Sequence, residues 1–166
     1  MSRSQATLFM LCGKIASGKS TMAAELAASK DAVLISEDRW LEILFGDEMQ
    51  TLKDFMRCSG KLRATLTDHI VALLQSGVSV VLDFQANTIE SRRWMRGLVE
   101  AADAAHELHV LNVPDAVCLD RLRHRNARHD HPFEVTEEQF HSVSQYFVPP
   151  TPQEGFTLIE HALADQ

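Results

Sequence analysis

The sequence predicts a three-layer α/β/α domain built on a five-stranded parallel sheet, and three observations support this. Short apolar runs alternate with longer amphipathic stretches from one end of the chain to the other, the pattern of βα-layered proteins. The runs at 7–12 and 78–83 are almost continuously apolar, as strands covered on both faces are. The first of them passes straight into a glycine-bracketed turn and a helix-forming stretch, "LCGKIASGKSTMAAELAAS".

Taken in order, the strand candidates are "TLFMLC" (7–12), "AVLIS" (32–36), "VSVVLD" (78–83), "ELHVLNV" (107–113) and "FTLIE" (156–160). Helices are expected near 19–29, 38–45, 51–76, 88–104, 115–127 and 135–147. Asp115 follows Pro114 and opens one of these helices, and Thr136 with Glu137 and Glu138 makes an acidic start for the last. Two polar, proline-bearing connections stand out, "ARHDHPFE" (127–134) and "PPTPQEG" (149–155). Right-handed crossovers should join the parallel strands. No repeat or linker divides the chain, so residues 1–166 are expected to form a single domain.

With 166 residues the chain is long enough to bury a sizeable core. Its 45% hydrophobic and 23% charged residues are the mix of a soluble globular protein. No apolar run approaches the roughly 18 residues a membrane span needs, and the first run lacks the basic leader of a secretory signal. A cytoplasmic location is the expectation. A net charge of −7 argues against broad charge-driven nucleic-acid binding. Cys12, Cys58 and Cys118 are odd in number and widely spaced, which fits buried free thiols.

The chemistry begins at "GKIASGKS", residues 13–20, which fits GxxxxGK[ST] at every required position. Chance would produce that pattern in about one chain in two hundred of this length. Glycines let successive N–H groups turn towards phosphate oxygens, and the following helix N-terminus adds partial positive charge. Gly13, Lys14, Ile15, Ala16, Ser17, Gly18, Lys19, Ser20 and Thr21 are therefore the expected nucleotide-binding residues. Lys19 would reach the β- and γ-phosphates of ATP, and the Ser20 hydroxyl would ligate Mg²⁺. Asp83 closes the third strand candidate, where a second Mg²⁺ ligand is expected. No NKxD base-reading motif of a switch GTPase is present. The pair "ED" after the second strand points to a phosphotransferase, in which a carboxylate there accepts a hydroxyl proton.

With these landmarks in order, the chain resembles the small P-loop kinases, a group that includes predicted kinases of the AAA-domain type, polynucleotide 5′-kinase, chloramphenicol phosphotransferase and zeta toxin. The resemblance runs through "GKIASGKS", "LISEDRW", "VVLDFQANTIESRRWMRGLVEAA", "LHVLNVPDAVCLDRLRHRN" and "YFVPPTPQEGF". It implies a P-loop kinase-like fold and transfer of the γ-phosphoryl group of ATP to a hydroxyl acceptor. Asp38 matches the acceptor-activating aspartate, with a helix N-cap as its plainer role. Arg121 and Arg125 match lid arginines, four apart on one helix face, with Arg128 and a lid around 125–135. The last segment matches an adenine-side loop. Relatives often carry an arginine three residues after the catalytic aspartate; here that place is Leu41, and the arginine is Arg39. An acidic pI of about 5.6 favours a small-molecule acceptor over a nucleic-acid end. The alternative is a nucleotide-binding switch or regulatory ATPase with a protein partner.

Other features are read as structural. His129 and His131 around Asp130 fit a solvated loop, and His106 and His109 have opposite facing preferences on a strand. Arg92, Arg93 and Arg96 are expected on a solvated helix face. Trp40, Phe45, Phe55 and Trp94 are expected in the core or as pocket wall.

Overall fold

The computed structural model describes residues 4–129 and 134–163. Strands β1 (Thr7–Cys12), β2 (Val33–Ser36), β3 (Val80–Gln85), β4 (Ala105–Asn112) and β5 (Leu158–Ala162) form one sheet in the order β2-β3-β1-β4-β5. Every pairing in it is parallel. The helices are α1 (Lys19–Ser29), α2 (Glu37–Phe45), α3 (Leu52–Gln75), α4 (Ile89–Ala102), α5 (Asp115–Arg128) and α6 (Glu137–Ser144). All five expected strands and all six expected helices are present.

Strand parity explains the layers. Successive side chains point to opposite faces, so Leu8, Met10, Val80, Leu82 and Leu108 face one way and join Leu62, Leu66 and Ile70 of α3 and Met95 and Leu98 of α4. Phe9, Leu11, Val81 and Leu111 face the other way and join Ala23 of α1. β1 and β3 sit centrally and are buried on both faces, which is why their sequences lack polar alternation. Cys12, Cys58 and Cys118 are buried and unpaired. Among the described residues no helix is long and apolar enough to cross a membrane.

Threonines set three helix starts. Thr51, Thr88 and Thr136 each accept a backbone N–H from the third residue of the helix that follows, and Asp54 and Gln139 reciprocate in capping boxes. Two expectations need correction here. Asp83 does not end its strand, because β3 continues to Gln85. Arg92 does not lie on a solvated face: it is 1% exposed, on the i, i+3, i+7 stripe it shares with Met95 and Val99. The guanidinium donates to the Val148 carbonyl of the loop after α6, to the Ala86 carbonyl after β3 and to the Glu154 carboxylate. Arg93 is exposed as expected, and Arg96 partly so.

Candidate active site

The phosphate loop joins β1 to α1, and its two glycines are needed for different reasons. Gly18 caps α1 at φ 99°, a left-handed conformation that side chains disfavour. Gly13 is buried, and a Cβ there would collide with the Ser17 side chain. Ser17 is itself buried, and its Oγ has no partner among the described residues. Lys19 curls back along the loop, its Nζ donating to the carbonyls of Gly13 (2.5 Å) and Lys14 (3.0 Å). Burial pulls the Lys19 pKa below its ordinary value, and the Asp83 carboxylate opposes that pull. A part-buried ammonium whose hydrogen bonds go to carbonyls favours an anion beside it. Thr21 follows, exposed on the first turn of α1.

Cys12, the residue before the loop, is not a nucleophile. Burial pushes its thiol up to about 11, so it stays protonated at neutral pH.

The Ser20 hydroxyl donates to Asp83 Oδ2 at 2.8 Å. Asp83 is aimed by a break in register: Met10 pairs with Leu82 but Leu11 with Gln85, so β3 fits two extra residues, Asp83 and Phe84, at this point. Such irregularities re-aim side chains at functional sites. On its other side Asp83 is in register with Ser36, the last residue of β2.

Ser36 accepts the Arg39 backbone N–H at 3.4 Å and caps α2, which begins at Glu37. The plainer role for Asp38, a helix N-cap, is therefore taken by Ser36. Glu37, 3% exposed, accepts from Ser59 Oγ (3.0 Å) and Arg63 Nε (3.3 Å). Burial raises the Glu37 pKa, against the pull of Arg63. Arg63 also donates to Ser91 Oγ at 3.0 Å and lies over the rings of Trp94 (5.1 Å) and Phe84 (5.6 Å). This network roots the first turn of α2 beside Asp38. Leu41 is buried in the core, so the arginine often found three residues after the aspartate has no counterpart at that position; Arg39 is exposed instead.

A cavity of about 590 Å³ is lined by Asp38, Ser20 and Asp83, with Ser36, Leu34, Arg39, Trp40 and Glu42 making up its wall. Trp40 is thus pocket wall, and Phe45, Phe55 and Trp94 are partly buried against the core.

From α5, Arg121 Nη1 donates to the Ser17 carbonyl at 3.2 Å. Arg125 is half-buried, and its Nε is buried without a partner among the described residues. Burial lowers its pKa while the charge of Asp38 opposes. Lys14 pairs with Asp115 at 2.8 Å, and Ile15 and Ala16 pack against Cys118, Leu122 and Phe140. Helices α5 and α6 thus sit on the crest of the phosphate loop. Arg128 ends α5 on the surface. Of the expected lid, Asp130, His131, Pro132 and Phe133 lie outside the described residues. His129 pairs with Glu134 at 2.5 Å. His106 and His109 part as expected: His106 accepts the Thr157 N–H, and His109 contacts Glu107 and His161.

Asn87 is the residue the sequence reading missed. Its Oδ1 accepts the Gly13 N–H (2.9 Å), its Nδ2 donates to the Gly13 carbonyl (2.8 Å), and its own carbonyl accepts from Val148 N (2.9 Å). Beside it Arg92 donates to the carbonyls of Ala86 (2.9 Å) and Val148 (2.8 Å) and to Glu154 (2.8 Å). The loop at 147–155 is thereby tied to the phosphate loop.

An all-parallel sheet in this order, with a glycine-rich phosphate loop at the carboxyl end of its central strand, defines a P-loop kinase-like α/β protein. A model of the family described as AAA domain matches residues 8–150, and the chain belongs to that family. No curated protein matches it. Among solved structures it is similar to a provisionally assigned kinase from Chloroflexus aurantiacus (TM-score 0.77, 21% identity, 95% of this chain and 85% of that one). It is also similar to APS kinase from Mycobacterium tuberculosis, solved with AMPPNP and APS (0.64, 18%, 98% and 91%). A gluconokinase from Sinorhizobium meliloti is a third (0.60, 16%, 100% and 86%). At these identities the likeness is one of fold.

Proposed function

We propose that this protein is a Mg²⁺-dependent ATP:hydroxyl phosphotransferase. The observation that carries this reading is the meeting of Asp38 with the Ser20–Asp83 pair in one cavity, beside the phosphate loop. The residues present fit both partners of the reaction. Ser17 Oγ and Arg125 Nε are buried donors without partners among the described residues, Lys19 is a part-buried cation, and Ser20 with Asp83 is a hard-oxygen pair of the kind Mg²⁺ takes.

Amides of the loop and of the first turn of α1, with Lys19, hold the phosphates of ATP, while Gly13, its N–H taken by Asn87, lets the loop turn. Ser20 and Asp83 would hold Mg²⁺, which would supply neutralisation of phosphate charge. Asp38 orients the acceptor hydroxyl and takes its proton as the new O–P bond forms. The bond from the γ-phosphorus to the bridging oxygen breaks, and ADP leaves. Arg121 and Arg125 stabilise charge on the phosphoryl oxygens. Because phosphoryl transfer is loose, positioning and electrostatics outweigh base strength.

The test is Asp38→Asn. It should keep ATP affinity near wild type and cut acceptor phosphorylation by roughly 10²–10⁴-fold, the usual worth of a general base. Stability should barely move, since Ser36 caps the helix. A variant that turns over normally, measured by ADP release, removes Asp38 from the chemistry.

A further inference from the structure

The wall of the Asp38 cavity carries information about the acceptor that the phosphate loop does not. Resting on the phosphotransferase reading, we infer that the acceptor is an uncharged or cationic alcohol with an apolar face that lies against Trp40 and Leu34.

Charge is the first ground. Three carboxylates line the cavity, Asp38, Asp83 and Glu42, against one guanidinium, Arg39. Asp83 is engaged by Ser20 at the phosphate end and the charge of Asp38 acts on Arg125 of α5, so Asp38 and Glu42 are the carboxylates on the acceptor side. A cleft lined mainly by one sign of charge concentrates the opposite sign and repels its own. Recognition of a phosphate, sulfate or nucleic-acid backbone calls for clustered donors, and no lysine lines this wall among the described residues. Arg39 is exposed and is the one cation lining that wall among the described residues.

Apolar surface is the second ground. Trp40 is 37% exposed and Leu34 39% exposed, yet both line the cavity. Half-open apolar walls around a few polar groups are how small-molecule sites supply area and orientation together. An indole offers a broad face for a flat or aliphatic group. The volume, about 590 Å³, is that of a small-molecule site. In the reaction the alcohol oxygen bonds to the γ-phosphorus, its proton passes to Asp38, and ADP departs with the bridging oxygen.

Trp40 and Trp94 are the chain's only tryptophans, so Trp94→Phe leaves Trp40 as the sole indole, excited apart from Tyr146 at the red edge of the absorption band. The full chain with Mg²⁺ and ATP is titrated with 2-phenylethanol, 2-amino-1-phenylethanol, gluconate and a 5′-hydroxyl oligonucleotide. ADP release by the unsubstituted protein is followed in parallel, in case Trp94→Phe folds poorly. The two aryl alcohols should quench Trp40 and accelerate ADP release, with gluconate and the oligonucleotide ineffective. Trp40→Ala should raise the aryl-alcohol KM by about tenfold or more with a smaller change in kcat, because the wall binds without touching the reacting atoms. Preference for gluconate or the oligonucleotide overturns the inference and leaves the phosphotransferase reading standing. Binding of ATP with no response to any of the four also overturns it. Failure to bind ATP at all removes the underlying reading as well.

Discussion

Asn87 holds both backbone polar groups of Gly13, the first residue of the phosphate loop. Asn87 and Gly13 are both buried, so losing the clamp leaves the Gly13 N–H unsatisfied at a cost of about 1–3 kcal/mol, while the Gly13 carbonyl keeps Lys19 Nζ. Asn87→Ala should therefore weaken ATP binding by roughly tenfold, equivalent to about 1.4 kcal/mol. Asn87→Asp is closer in shape but should be worse: it keeps the acceptor for Gly13 N–H, turns a second acceptor against the Gly13 carbonyl, and brings negative charge to the phosphate site. Calorimetric titration of the two variants decides the point. Equal affinities, or Asp better than Ala, would mean that the clamp does not set the loop. Asn87 was hidden in the sequence because its partner lies 74 residues away and a lone asparagine after a strand reads as an ordinary turn. Lys19 and Ser20 were visible because their spacing to Gly13 and Gly18 is local. The stripe Arg92 shares with Met95 and Val99 is written in the sequence, but a charged side chain by itself predicts a solvated face, and that expectation failed.

Elements were more legible than contacts between them, because period and caps are written locally. Thr51, Thr88 and Thr136 start helices where expected. The register break that aims Asp83 depends on how β1 and β3 align and leaves no trace in "VSVVLD". Helix α5 shows what the element contributes. Its first turn is tied to the loop by Asp115–Lys14, its middle by Arg121 to the Ser17 carbonyl, and its end to α6 by Arg123–Glu137 and to the segment before α6 by Asn126 Nδ2 to the Val135 carbonyl (2.6 Å). Arg125 therefore sits on a braced helix, its Nε without a partner among the described residues and near the charge of Asp38. Arg125→Lys keeps the charge and loses the planar fork. It should lower kcat by roughly 10²–10³-fold, below the full worth of an arginine finger, and leave ADP affinity within about twofold, since ADP lacks the group gripped. A matching loss of ADP affinity would make Arg125 a general phosphate contact.

At the scale of the molecule, the sheet's far edge gives stability a pH dependence. His109 Nε2 lies 2.9 Å from Glu107 Oε2, and its Nδ1 lies 2.8 Å from His161 Nε2 on β5. One arrangement of neutral rings satisfies both contacts: His109 donates to Glu107 and accepts from His161. A proton on each imidazole would set two donors against each other. Burial, and then the neighbouring His109, lowers the His161 pKa; burial and Arg96 lower that of His106, which accepts the Thr157 N–H. A base whose pKa falls on folding is protonated more readily in the unfolded chain, so its contribution is complete above the unfolded value, about 6.5, and is lost as pH falls through the folded one. Glu37 has the opposite slope, because its raised carboxyl pKa makes the folded state the better proton binder above the ordinary glutamate range. The two effects separate by difference. His161→Gln keeps a donor towards His109 and removes the titration. Thermal melts from pH 7.5 to 5 should show the wild type losing stability relative to His161→Gln as the pH drops, with the gap opening below about 6.5. Parallel melting curves across that range would show that the histidine pair does not couple folding to protons.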